Sequence, residues 1–274
     1  MENKKAVILV VTHKPDRVYS DEIYTPIQVG KANSKYDLGI LGDNMGDNIS
    51  EKNPNYCELT AQYWAWKNLQ CEYIGLCHYR RYFETYYTAE LLDKVLSYYD
   101  IILPTPIYRG VKSGGIINKL ISDLTQEDIA IFVMTLKKMF PDYEQDILNY
   151  LYGNVDIPFN MCICRKDLFD KYCDWEFNVL FECEKVVRLS GYSRLKRIFG
   201  YFGEILLPIY SYHNNLKIKH ENIVGFIGEK GKNRFSKSKY IYKLFNRHHP
   251  KHIDSTMFAP AVVVGLNNDG INIF

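Results

Sequence analysis

The 274-residue sequence predicts an α/β fold, a mixed but mostly parallel sheet flanked by helices, with a more helical C-terminal half. Three observations carry that expectation. Buried-strand runs alternate with helical patterns through the first hundred or so residues, as a parallel sheet with crossover helices requires. The first strand run breaks into a polar loop, as strands buried on both faces do. Beyond a glycine-rich loop at 110–115 the patterns become predominantly helical.

Taken in order, AVILVVTHK (6–14) is the first strand and its polar exit. YDLGILGDNMGDN (36–48) reads as a short strand and a loop rich in Gly, Asp and Asn. Residues 53–69 form a helix: Pro54 suits its first turn, and Leu59, Tyr63, Trp66 and Leu69 make an apolar stripe. EYIGLCHYRR is the next strand, followed by a helix near 88–98 and a strand at 100–104. Helices are expected at 125–139 and 143–152, a strand in IPFNMCICRK and a long helix at 166–189. A helix near 203–214 contains Pro208, which should kink or shorten it. LKIKHENIVGFI closes the fold as a strand. Residues 1–227 therefore read as one α/β domain and 228–274 as a basic, aromatic C-terminal extension. Within it, residues 228–252 carry eight Lys or Arg and three His against Glu229.

With 47% hydrophobic and 24% charged residues, the chain has enough apolar content for a sizeable core. A formal charge of +2 makes any basic function local. The 23 tyrosines, 14 phenylalanines and 3 tryptophans suit sugar or base stacking, and equally the filling of a core. Ala6–Val11 is too short for a secretory segment or a membrane span. The seven cysteines are odd in number, and Cys162-Ile-Cys164 lacks a zinc spacing and a second pair. Reduced thiols in a cytoplasmic protein are expected. No nucleic-acid motif appears, and the basic run is confined to one stretch, so nucleic acid is not an expected partner.

In an open parallel sheet, ligands bind beyond the carboxyl ends of the strands. Three such ends are polar here: Thr12-His13-Lys14, Gly42-Asp43-Asn44 and His78-Tyr79-Arg80-Arg81. Their convergence points to an anionic ligand, because guanidiniums pair bidentately with phosphate oxygens. The plain alternative is that Arg80 and Arg81 pair with surface carboxylates. No P-loop and no G-x-G-x-x-G follows the first strand, which excludes a P-loop NTPase and a dinucleotide dehydrogenase. A nucleotide-sugar site survives.

Several blocks carry a resemblance: VTHK, YTPIQVGKA, LGDNMGDNISEKNPNYCELTAQYWAWKN, YIGLCHYRRYF, FNMCICRKDLFDKYCDWEFNVLFECEK and RIFGYFGEILL. Together they resemble, over roughly residues 6–210, a bacterial family long labelled a domain of unknown function and found in capsule, exopolysaccharide and O-antigen gene clusters. The resemblance implies a glycosyltransferase with a GT-A-like, Rossmann-type fold. It also implies a UDP-sugar donor, galactofuranose where activity has been assigned, and a glycan or lipid-linked oligosaccharide acceptor. GT-A enzymes commonly hold a divalent metal with Asp-x-Asp, and this sequence has none. His78, Arg80 and Arg81 then stand in for the metal as neutralisers of the leaving diphosphate. The expectation is that no cofactor is required; Asp43 and Asp47 are the carboxylates for manganese or magnesium if one is used, or else turn formers.

The donor-binding set expected is Thr12, His13, Lys14, Asp43, Asn48, His78, Arg80 and Arg81. Making a β-furanoside from an α-linked donor inverts the anomeric centre and needs one carboxylate base. Glu204, expected at a helix start after a glycine-rich turn, is the first candidate, with helix-dipole pairing as its structural alternative. Asp156 and Asp123 follow, and Asn160 is the candidate acceptor contact. Competing readings are a UDP-galactose or UDP-glucose (pyranose) transferase and a non-catalytic carbohydrate-binding module. The segment 228–252 is expected to dock a cytoplasmic protein peripherally on the anionic inner face of the cell membrane.

Overall fold

The computed structural model describes residues 4–109, 115–231 and 250–274. By their contacts the described residues fall into two units, one within Met1–Pro106, Ile157–Trp175 and Asn214–Arg234, the other within Ile107–Asp156, Glu176–His213 and Phe235–Phe274.

The first unit is built on β1 (Ala6–Thr12), all seven residues of which are buried. Beside it lies β2 (Tyr24–Gln28), then β3 (Leu41–Gly42). The helical segment after β3 is broken in two, α1 (Asn53–Tyr56) and α2 (Leu59–Asn68). The break is at Cys57, whose φ of 55° interrupts the helix, and the Asn53 side chain bridges it by donating to the Cys57 carbonyl at 2.6 Å. Next come β4 (Tyr73–His78), β5 (Tyr82–Phe83), α3 (Ala89–Leu96) and β6 (Ile101–Pro104). Chain order continues into the second unit with β7 (Ile107–Tyr108), α4 (Ile116–Asp123), α5 (Gln126–Met139), α6 (Glu144–Leu151) and β8 (Val155–Asp156). It returns to the first with β9 (Cys162–Arg165) and the start of α7 (Lys166–Glu184). The remaining elements are α8 (Ile198–His213), β10 (Ile218–Glu221), β11 (Ile223–Val224) and α9 (Pro260–Asn268).

The sheet has seven strands in the order β10-β6-β9-β4-β1-β2-β3. Only β9 runs against its neighbours β4 and β6, so the sheet is mixed and mostly parallel, as the strand–helix alternation predicts. One face packs Ile8, Val10, Tyr24, Cys77 and Ile163 against Tyr82, Tyr87 and Leu92. The order 3-2-1-4 reverses between β1 and β4, the kind of place at whose carboxyl edge open α/β sheets bind ligands. The second unit stacks Phe132 of α5 on Phe202 of α8 with ring centroids 4.3 Å apart, and pairs β7 with β8.

Several elements differ from the expectation. The strand β2 has no counterpart in it, because Pro26 interrupts the apolar pattern; a proline is tolerated where the neighbouring strand is only two residues long. The long helix stops at Glu184 instead of 189. The helix expected from 203 begins at Ile198 and runs through Pro208 to His213. The expected domain boundary at 227 is not where the structure divides the chain. Residues 250–274 belong with the second unit: Ile253 is buried, its N–H donates to Glu144 at 2.7 Å, and its carbonyl accepts from Lys137 at 2.5 Å. Most of the basic stretch, 232–249, lies outside the described residues. All seven cysteines are free, and no helix among the described residues is long and apolar enough to cross a membrane.

Candidate active site

β1 and β4 leave the sheet side by side, with Val11 opposite His78. Past β1, the buried Thr12 hydroxyl donates to the Lys14 carbonyl at 2.9 Å and so shapes the exit loop. Past β4 the chain reverses at once. The His78 N–H donates to the Arg81 carbonyl at 3.0 Å and the Arg81 N–H to the His78 carbonyl at 2.9 Å, which throws Tyr79 and Arg80 outward. The Tyr79 N–H is tied to the Val11 carbonyl at 3.0 Å, and its ring meets His13 edge-on at 5.8 Å.

The two guanidiniums diverge. Arg80 forks onto one oxygen of Asp16, Nε at 3.2 Å and Nη2 at 2.6 Å, so it satisfies the alternative of a carboxylate partner. That hydrogen bond from Arg80 holds the Asp16 carboxyl below its ordinary range and keeps the pair ionised at neutral pH. Arg81 lies over the ring of Phe159, 4.1 Å from its centroid, and enters no ion pair among the described residues. Phe159 itself holds a φ of 68°, an uncommon conformation for a non-glycine residue.

Beside this turn is a cleft of about 630 Å³, within the usual size range of small-molecule sites. Val18, Leu38 and Ile40 give it apolar wall, Thr12, Ser20 and Thr25 hydroxyls, and Lys14 and Asp16 charge. The lining is thus part apolar, part hydroxylic and part charged.

Not every expected residue faces this cleft. Asp43 is fully buried, and its two oxygens accept from Gly30 N–H (2.8 Å), Lys31 N–H (3.1 Å), Ser50 Oγ (2.5 Å) and Thr60 Oγ1 (2.6 Å). Four donors saturate the carboxylate, which welds the 30–60 loops together; this corrects its expected place as a donor contact. Asn48 is a turn former, donating to the Gly46 carbonyl and accepting from Ser50 N–H. Asn160 is buried and donates to Glu58 at 2.6 Å.

In the second unit Glu204 and Asp156 come together around one lysine. Lys119 of α4 stands 3.1 Å from Glu204 Oε2 and 3.9 Å from Asp156 Oδ2. Asp156 is buried and also takes the Arg109 guanidinium, Nε at 2.9 Å. Glu204 lies in the second turn of α8, not at a helix start, and Phe202 beside it is core. Asp123 ends α4, and its backbone carbonyl, held by Arg194 at 2.6 Å, is what makes the contact. Sequence reasoning missed Asp16, Arg109, Lys119 and Phe159. Only Asp16 carried a signal, as an acid in the loop that leaves β1.

The model of a family described as a domain of unknown function, DUF4422, matches residues 7–215. No curated protein matches. Among solved structures, the apo structure of WbbM, a bifunctional glycosyltransferase, matches at 28% identity with a TM-score of 0.72. The match covers 82% of this chain and 46% of that one, so the present chain aligns with less than half of that structure. The α/β sheet described above is thus GT-A-like, as expected.

Proposed function

The chain belongs to the DUF4422 family, and we propose that it is an inverting glycosyltransferase acting in bacterial surface polysaccharide synthesis. It moves a hexose from a UDP-sugar to a glycan or lipid-linked oligosaccharide. The observation that carries this reading is the cleft of about 630 Å³ lined by the exit of β1, by β2 and by the segment leading into β3, mixed apolar and hydroxylic, with Arg81, which enters no ion pair among the described residues, at the neighbouring turn. The likeness to a bifunctional glycosyltransferase over 82% of the chain supports it. Galactofuranose is the donor sugar assigned first, with galactopyranose and glucose the competitors.

In this reading the nucleoside occupies the cleft against Val18, Leu38 and Ile40, Thr12 and Lys14 line it, and His13 between them contacts the nucleotide. Arg81, seconded by His78, neutralises the diphosphate as it leaves, in place of a metal. Arg80 acts through Asp16 by holding the cleft wall. Glu204 is assigned as the base for the acceptor hydroxyl and Lys119 as the group that orients it, with Asp156 and Asp123 behind it. Asn160 is the acceptor contact, and the protein works peripherally at the inner face of the membrane.

Thermal melts with UDP, UDP-galactofuranose, UDP-galactose and UDP-glucose test the donor. A ligand at a hundred times its Kd adds about 2.7 kcal/mol of apparent stability. Stabilisation by UDP and by one UDP-sugar above the rest is the expected result. No shift with any of them, while the protein remains folded, overturns the reading.

A further inference from the structure

We propose that the segment 185–197 is a membrane-docking loop that seats the protein on an anionic lipid bilayer. The stretch KVVRLSGYSRLKR carries five Lys or Arg and no acid. All five basic side chains are exposed, and so are the two large apolar residues at its tip, Leu189 at 53% and Tyr192 at 78%. Ile121 of α4, two residues from the tether described next, is exposed at 44%.

The loop is pinned at both ends, and the pins explain the exposure. Arg188 donates to the Asp269 carbonyl at 2.8 Å and pairs with its carboxylate at 3.1 Å, which fastens one end to α9. Arg194 donates to the carbonyls of Ser122 (2.8 Å) and Asp123 (2.6 Å), which fastens the other end to α4. Between them the Tyr192 N–H reaches the Ser190 hydroxyl at 3.2 Å and turns the chain back on itself. Leu189 and Tyr192 are therefore held outward by structure.

A run of charge alone is usually a solvated face. Here a leucine and a tyrosine stand among the charges, and tyrosine favours the bilayer interface, where its ring is buried and its hydroxyl stays wet. Lys196 and Arg197 follow the tip directly, and Lys185 precedes it in an exposed pair with Glu182 that costs little to exchange for lipid phosphate. The complement of such a face is a negatively charged lipid surface. This docking does not depend on the transferase assignment.

Co-sedimentation of the full-length protein with vesicles tests the proposal. Binding is expected to vesicles of equimolar phosphatidylcholine and phosphatidylglycerol, to weaken with salt, and to be absent on phosphatidylcholine alone. Leu189→Ser/Tyr192→Ser and, separately, Lys196→Gln/Arg197→Gln should each lower the partition coefficient at least about tenfold. Lys237→Gln/Lys239→Gln, in the basic stretch 228–252, should lower it less. The substituted side chains of the first two variants are exposed, and an unchanged melting temperature confirms that each is folded. Wild-type sedimentation of both variants, or loss in the Lys237/Lys239 variant alone, overturns the assignment. Equal binding of the wild type to neutral and anionic vesicles overturns it too.

Discussion

Arg80 is held by Asp16 while its neighbour Arg81 stacks on Phe159, and the difference can be measured. Arg81→Ala should weaken UDP binding by about 1.5–3 kcal/mol, the range for hydrogen bonds to charged groups. Arg81→Lys should recover only part of that, because the planar fork is lost. Arg80→Ala acts differently: it leaves Asp16 as a bare negative charge on the cleft wall. Its loss should therefore be largely restored by adding Asp16→Asn, whereas the Arg81→Ala loss should not be; calorimetric titration with UDP checks both. At the other cluster, Glu204→Gln keeps shape and still leaves Lys119 beside Asp156. It should fold normally, bind UDP, and lose turnover by about 10²–10⁴, the contribution of a general base. Asp156→Ala should instead unfold more easily, by about 3 kcal/mol, because Arg109 and Lys119 lose the buried carboxylate they share. Near-normal turnover in Glu204→Gln would pass the base role to Asp156 or Asp123.

Among the elements, β4 has the least room. It lies between β1 and β9, and a Cβ at Gly75 would come within 2.9 Å of Ile163 Cγ1 and 3.0 Å of Ile8 Cγ1. Glycine is thus the residue that lets side chains of both neighbouring strands close over the strand that delivers His78 and Arg81. Gly75→Val should cost about 1–3 kcal/mol in urea unfolding, as overpacking of cores does. Because the same strand carries the candidate site, UDP affinity should fall with it. The helix α8 has the opposite character: Gly200, Gly203 and Pro208 all lie within it, and it survives because its apolar faces are buried. Tertiary burial outweighs the local cost of helix-breaking residues, which is why a helix start near 203 looked right from sequence and is not.

For the whole molecule, transfer without a divalent metal is the prediction that separates the cationic-turn reading from the metal reading. Activity should persist in EDTA and be unchanged by added manganese or magnesium. Complete loss in chelator, restored by metal, would return the role to carboxylates. Asp43 would then have to give up four hydrogen bonds, which makes Asp47 the first residue to test. The sequence by itself determined the α/β class, β1, β4 and the polar ends at Thr12–Lys14 and His78–Arg81, because buried apolar runs and their polar exits are local patterns. It also brought out the family blocks, which lie within the matched region 7–215. Only the tertiary structure decided that β9 runs backwards, that Pro26 lies in a strand, and that residues 250–274 pack with the second unit. It alone decided that Arg80 belongs to Asp16, that Asp43 is saturated, and that Lys119 stands between Glu204 and Asp156, whose positions in the chain are far apart. Strand direction and charge pairing are set by contacts between residues distant in sequence, and no local pattern encodes which of several acids a given cation will meet.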